Sequence, residues 1–407
     1  MIAELHRRHP AASFFGLGGR EMEVAGQHRI VRAEDVAHMG ITEVLRHAPR
    51  VYGSYRKLVA SIKESRPQAA VLIDFPDVNF RLARELKALQ IPVIYFVSPQ
   101  LWAWKRRRLR WVQQRVDRMM VIFPFEEPFY RNRNVDAKFT GHPLAELPLP
   151  TISREQFAAT YMFAKGEDPQ SSSHLGRPWI ALLPGSRWKE VESNLPTMLE
   201  AAALLGPNYD FLIPVASTLD KQKFSDFVFQ QQITRIQWPK SSITLVPDAR
   251  EALRHARASV VASGTATVQA AVIGNPFVVV YRVSPLTFKL AKRLVRYPPE
   301  VWPAASVDVH GNLPIAMVNL IAGRSIVPEL IQDQFTAANV AAALRPLLDE
   351  TPERARIISD LAEVREKLVA PGGTGSIGQV ADAIDSLLGP LTGRQLSERG
   401  RISPASV

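Results

Sequence analysis

The chain contains no cysteine, which excludes disulfides and thiolate-held metals and fits a reducing compartment. No stretch approaches the roughly 20 consecutive apolar residues of a membrane-spanning helix. The opening MIAELHRRHP lacks the apolar segment of a secretion signal. Neither a G-x-x-x-x-G-K-[ST] loop nor a G-x-G-x-x-G fingerprint occurs, so Walker-type and standard dinucleotide readings lose support. His142, His255 and His310 are scattered, with no H-x-x-x-H or Asp-x-Asp pair, so no metal site is expected. Negative charge is also short: 39 Asp and Glu face 50 Lys and Arg, a net +11. That balance favours an anionic partner (phosphorylated substrate, acidic lipid or nucleic acid) and says nothing about fold.

What is present is a rhythm. At 407 residues, 46% of them apolar, a prior of roughly 150 residues per domain suggests two or three domains. Short β-rich runs recur at Ser13–Phe15, Ala69–Ile73, Val93–Val97, Arg118–Ile122, Ile180–Leu183, Phe211–Pro214, Ile243–Val246, Ser259–Val261 and Phe277–Tyr281. Helical patterns such as Arg81–Leu89, Leu195–Leu205 and Thr265–Ile273 separate them. The alternation predicts an α/β fold of two doubly wound, Rossmann-like domains with parallel sheets. A polar stretch between Pro148 and Pro178, with GEDPQSSSHLGRP, reads as their connection. The expected domains are therefore 1–163 and 176–338, with terminal helices over 339–388 packing across both and a disordered tail over 389–407. The chain opens inside a helix, Ile2 to Arg8, before any strand. Either the fold begins with a helix, or the first domain is without its opening strand–turn–helix unit.

Chemistry concentrates where apolar strands end. Val71–Ile73 runs into Asp74, and Val93–Val97 into Ser98; in open parallel sheets that edge binds ligands. A carboxylate at the end of a buried strand is expected to be partly desolvated and suited to general-base work, so Asp74 is the candidate base. Asp77 is the expected cap of the next helix. In the second half, Ile180–Leu183 leads into Pro184-Gly185-Ser186-Arg187, with a helix expected from about Asn194. Ser259–Val261 leads into Ser263-Gly264-Thr265 and an apolar helix. Glycine-containing turns before helices bring backbone amides close to phosphate, and arginine binds it bidentately. Two such turns in one domain suggest a nucleoside diphosphate. His142, between Gly141 and Pro143, reads as structural, with ligand contact left open. Two stretches suit a membrane surface: the helix-spaced Val51, Tyr55 and Leu58 among basic residues, whose period an ordinary helix packed on the sheet shares and more often explains, and Trp102, Trp104, Arg106 and Arg107. The latter cluster would also suit nucleic acid, but no nucleic-acid motif accompanies it.

Taken together, these residues resemble the lipid-A-disaccharide synthases, inverting glycosyltransferases of the GT-B architecture. The similarity rests on FFGLGGREM (14–22), MGITEVL (39–45), IDFPDVNF (73–80), YFVSPQLWAW (95–104), FPFEEPFY (123–130) and FTGHPLAE (139–146). It continues through LLPGSRWKEVE (182–192), SGTATVQAAV (263–272), YRVSPLTFKLAKRLV (281–295) and NLIAGRSIVPELIQ (319–332). The resemblance implies two domains facing a cleft, with no cofactor and no metal. The donor would be UDP-2,3-diacylglucosamine and the acceptor 2,3-diacylglucosamine 1-phosphate, joined β-1,6 with release of UDP. It implies Asp74 as base, Arg187 and Ser186 at the diphosphate, and Ser263, Gly264 and Thr265 around phosphates. Ser98, Gln269 and Asn319 would complete substrate binding, and an anionic inner-membrane surface on the cytoplasmic side would be a partner, with oligomers possible and no nucleic acid. Three departures follow. The family's opening strand and glycine-rich loop are lacking, Gln269 stands where the family has Glu, and 297–318 is longer than the family's connection. Another GT-B enzyme acting on a UDP-sugar, or a homologue that only binds membrane or ligand, is the alternative.

Overall fold

A computed structural model describes residues 1–34, 41–162, 175–235 and 243–389, with the backbone alone at 41–50, 233 and 235. Of the expected connection, 163–174 lies outside the described residues, as does the expected disordered tail beyond Gly389. Two compact units emerge: Met1–Pro143 together with the chain from Ala370 onward, and Leu144–Val369.

The first unit carries β1 (Phe14–Gly18) and β2 (Gln27–Arg32), a parallel pair. A second parallel sheet has the order β3 (Ala70–Ile73), β4 (Val93–Phe96), β5 (Arg118–Val121) and β6 (Ala137–Phe139). The Val-Ile-Tyr-Phe run of β4 is buried at every residue, as expected of a central parallel strand covered on both faces. The helices Ile41–Ser65 and Pro76–Ala88 pack against each other beside these strands. The helix Gly375–Leu388 belongs here too. Its Val380, Ala381, Ala383 and Ile384 share one apolar core with Leu5, Ile94, Phe96, Met120 and Ile122. Arg8 fastens it, donating to Asp382 at 2.7 Å and Asp385 at 2.9 Å.

The second unit holds one six-stranded parallel sheet in the order β12-β11-β10-β7-β8-β9. Its strands are β7 (Trp179–Leu183), β8 (Asp210–Pro214), β9 (Ile243–Val246), β10 (Ala258–Ala262), β11 (Phe277–Tyr281) and β12 (Glu329–Ile331). In chain order this reads 3-2-1-4-5-6, the doubly wound arrangement whose direction reverses between its first and fourth strands. Here those are β7 and β10, paired with Leu183 opposite Val261. Both are buried throughout.

The division falls about twenty residues before the boundary expected at 163. The helix Arg154–Tyr161 sides with the second unit because Arg154 is bound there. Its guanidinium donates to the carbonyls of His255 (3.1 Å) and Arg177 (2.7 Å) and stacks 3.5 Å from the Trp179 ring centre. The terminal helices also divide: Ala337–Leu348 and Pro352–Lys367 belong to the second unit, and only Gly375–Leu388 returns to the first.

Candidate active site

Asp74 follows β3, with its amide donating to the Phe96 carbonyl at 3.0 Å. Asp74 and Phe75 both adopt left-handed backbone conformations, φ +45° and +44°, and Val97, just past the neighbouring strand β4, has φ +63°. Non-glycine residues enter that region at a cost, and clustered cases mark functional turns. The turn is held by its own carbonyl. Asp74 O accepts from Tyr95 Oη at 2.5 Å and from Asn79 Nδ2 at 2.7 Å, both on elements packed beneath it. The Asp74 side chain is exposed, which corrects the expectation that burial would desolvate it. Asp77 does not cap the following helix, whose N-cap is Phe75 without a side-chain bond; it pairs with Arg108 at 2.6 Å.

Ser98, Trp102 and Glu126 meet behind this edge. Ser98 Oγ donates to Glu126 Oε1 at 2.6 Å and Trp102 Nε1 donates to the same oxygen at 3.0 Å. The Phe123 amide donates to Oε2 at 3.1 Å. Burial, opposed by these donors, pushes the Glu126 carboxyl up to about 7. Sequence reasoning missed Glu126. Its signal was a carboxylate inside the aromatic block FPFEEPFY, where a charged side chain needs donors to be tolerated. Ser98 is 7% exposed with its hydroxyl already donated, so it orders the loop after β4 before it can serve a substrate. His142 is buried and held low, near 4, by desolvation, consistent with a neutral ring packed on Phe123.

In the second unit the two glycine turns leave the adjacent strands β7 and β10, at the reversal point of the sheet where such folds bind ligands. They differ in occupancy. The first helix starts at Trp188, six residues before the expected Asn194. Glu190 explains this by capping it: its Oε2 accepts the amides of Ser186 (3.0 Å) and Arg187 (3.3 Å), and its Oε1 pairs with Arg187 Nη1 at 2.9 Å. A carboxylate therefore already sits on the amides expected to receive phosphate. The second turn is open. The helix Thr265–Ile273 has Gly264 as N-cap with no side-chain cap, and Gly264 and Thr265 are exposed. Ser263 and Gln269 are partly buried beside it.

Asn319 departs from expectation. It is 1% exposed and its amide is fully used: Nδ2 donates to Val327 O (3.1 Å) and Glu329 Oε1 (2.6 Å), while Oδ1 accepts from the amides of Ile326 and Val327. With both donors and both lone pairs engaged, it orders the approach to β12 rather than presenting a hydrogen-bonding group to substrate. Within 297–318, Asp308 organises a turn, its carboxylate accepting the amides of His310 and Asn312.

The two lipid surfaces also change. Leu58 is 4% exposed and Trp102 2%, so neither is a lipid contact: Leu58 packs inward with Ile62, and the Trp102 indole is committed to Glu126. Val51 and Tyr55 are half-buried. Trp104, Arg106 and Arg107 remain exposed, and Lys105, Arg107, Arg108, Arg110 and Trp111 line a shallow basic recess. Among the described residues, no cluster of three or more His, Asp or Glu could hold a metal ion, and no helix is long and apolar enough to cross a membrane.

Over residues 1–380 the chain matches the family model described as lipid-A-disaccharide synthetase. It is 50% identical over 398 residues to the lipid-A-disaccharide synthase of Acidobacterium capsulatum, covering 95% of this chain and 92% of that protein. The chain belongs to the lipid-A-disaccharide synthase family. The synthase of Koribacter versatilis is likewise 50% identical, over 354 residues, covering 87% of this chain and 85% of that protein. Among solved structures, the calicheamicin glycosyltransferase CalG4 superposes with a TM-score of 0.55 at 14% identity, covering 95% of this chain and 93% of that one. SnogD, a glycosyltransferase from Streptomyces nogalater, gives 0.52 at 13%, covering 95% and 94%. At those identities the likeness is one of fold, and the fold is that of the GT-B glycosyltransferases.

Proposed function

We propose that this chain is the hexosyltransferase of lipid A disaccharide synthesis, moving a sugar from a UDP-sugar donor to a sugar acceptor. The observation that carries the reading is the extent of the family match, 50% identity over nearly the whole chain. The finer proposal is that both substrates are acylated: UDP-2,3-diacylglucosamine as donor, and 2,3-diacylglucosamine 1-phosphate as acceptor at its 6-hydroxyl. The acceptor oxygen attacks the anomeric carbon from the face opposite the leaving group. Its proton passes to the Asp74 carboxylate, and the glycosidic electron pair leaves with UDP, giving the β-linked product.

Supporting this division of labour, the first unit offers an exposed carboxylate at a strand end, and the second offers helix N-termini and Arg187. The uncapped Gly264–Thr265 turn, with Ser263 and Gln269 beside it, is proposed to hold the nucleotide phosphates. Arg187 and Ser186 take the diphosphate once Glu190 releases their amides. Exposed Trp104, Arg106 and Arg107, with Val51 and Tyr55, are proposed to face an anionic membrane surface on its cytoplasmic side. The test is UDP release from the two acylated substrates. Asp74→Ala is expected to lower kcat by about 10²–10⁴-fold, the range of a lost general base, with UDP affinity unchanged. Unaltered turnover would remove Asp74 from the reaction.

A further inference from the structure

The helix Pro285–Leu294 buries none of its residues. Its leucines recur at i, i+4 and i+8, which places Leu286, Leu290 and Leu294 along one stripe. They are 78%, 56% and 56% exposed. Phe288, Ala291 and Val295 turn the other way and are partly buried, so the helix seats on its own unit and still presents a second apolar face. Lys289 and Arg293 lie next to that stripe at helical spacing, and Lys292 and Arg296 follow beyond them. From Glu251 to Glu300 the chain carries no other carboxylate side chain.

A neighbouring turn is held against another side of the same helix. Lys292 Nζ donates to His310 O at 3.1 Å and Asn312 Oδ1 at 3.2 Å. The Asp308 turn is thereby held against the helix, and its flanking Val307 and Val309 are 55% and 96% exposed. Three exposed leucines bordered by lysine and arginine along one helix are the composition of an interfacial surface. One feature argues for a bilayer over a protein partner: every charged side chain on the helix that carries the leucines is positive. Isolated exposed leucines would need no explanation, but a contiguous basic-rimmed patch does.

We infer that the Leu286/Leu290/Leu294 face docks this chain on an anionic lipid bilayer. This goes beyond the Trp104 surface, because it puts a membrane contact in the second unit. It rests on the acylated-substrate reading only for its purpose. Its test uses no substrate, so failure of one leaves the other standing.

The full chain is sedimented with vesicles of equimolar phosphatidylcholine and phosphatidylglycerol, and with vesicles of phosphatidylcholine alone. Replacing the three leucines together by serine is expected to weaken partitioning onto the mixed vesicles about 100-fold. The pair Lys289→Gln and Arg293→Gln is expected to weaken it about 10-fold on mixed vesicles and leave the neutral ones unchanged. UDP release from detergent-dispersed substrates should be retained by both variants, which also reports that they fold. Two results would overturn the inference: undiminished binding by the triple serine variant, or its conversion of a self-associated species to monomer with vesicle binding intact, which would make a second copy the occupant.

Discussion

Replacing Glu126 by glutamine should change the first unit's stability in opposite directions at low and high pH. The carboxyl is buried and raised to about 7, against about 4.3 in an unfolded chain. Between those values the native state holds a proton that the unfolded chain has released, so stability falls as pH rises through the interval and levels off above it. At about 1.4 kcal/mol per unit, the parent loses about 4 kcal/mol across that window. Glutamine does not titrate and keeps an oxygen for Ser98 and Trp102. It places an NH2 where Oε2 accepts the Phe123 amide, which costs about 1–2 kcal/mol at every pH. The variant is therefore expected to be the less stable protein at about pH 5 and the more stable at about pH 8. Hydrogen exchange of peptides from β4 and β5, compared between the two proteins at one pH, reads the difference because intrinsic exchange cancels. An equal difference at both pH values would refute the raised carboxyl, and with it the account of how the loop from Ser98 to Trp102 is held.

Gly141 tests a close approach. A Cβ built there would lie 2.5 Å from the Ala370 amide nitrogen and 2.7 Å from its Cα, at a φ of +81°. Gly141→Ala should destabilise by about 2–4 kcal/mol, measured by urea unfolding, since both the backbone strain and the contact oppose it; a change under about 0.5 kcal/mol would deny the approach. Glu190→Gln removes the negative charge from the Ser186–Arg187 amides, and UDP should then bind about 3- to 10-fold tighter by calorimetry. Weaker binding would mean that Glu190 serves to hold Arg187 in place.

Much of the fold was written in the sequence because its strands are short apolar runs between helices, and burial on both faces leaves little choice for Trp179–Leu183 or Val93–Phe96. Both phosphate-suited turns were visible as glycine punctuation, and the structure puts them on adjacent strands. Side-chain commitments were not legible. Trp102 and Leu58 look interfacial by type, but the Trp102 indole N–H finds its buried acceptor, Glu126, 24 residues further along the chain, and periodicity cannot tell which helix face meets the sheet. Asn319 reads as a site residue by family pattern, while its four bonds depend on a chain that folds back from Ile326. The early helix start at Trp188 depends on Glu190 reaching back three residues, a local cap obscured by the glycine-serine turn before it.

The helix Gly375–Leu388 has a consequence for how the protein is made. Leu5, Ile94, Phe96, Met120 and Ile122 leave the ribosome early, but the partners Val380 to Ile384 that cover them come after the whole second unit. At about 5–20 residues per second, the uncovered face waits on the order of tens of seconds. The second unit, continuous in sequence, can close its own core during that interval. The first unit is the one that chaperones would have to shield, and Arg8 cannot reach Asp382 and Asp385 until more than 370 further residues have been made.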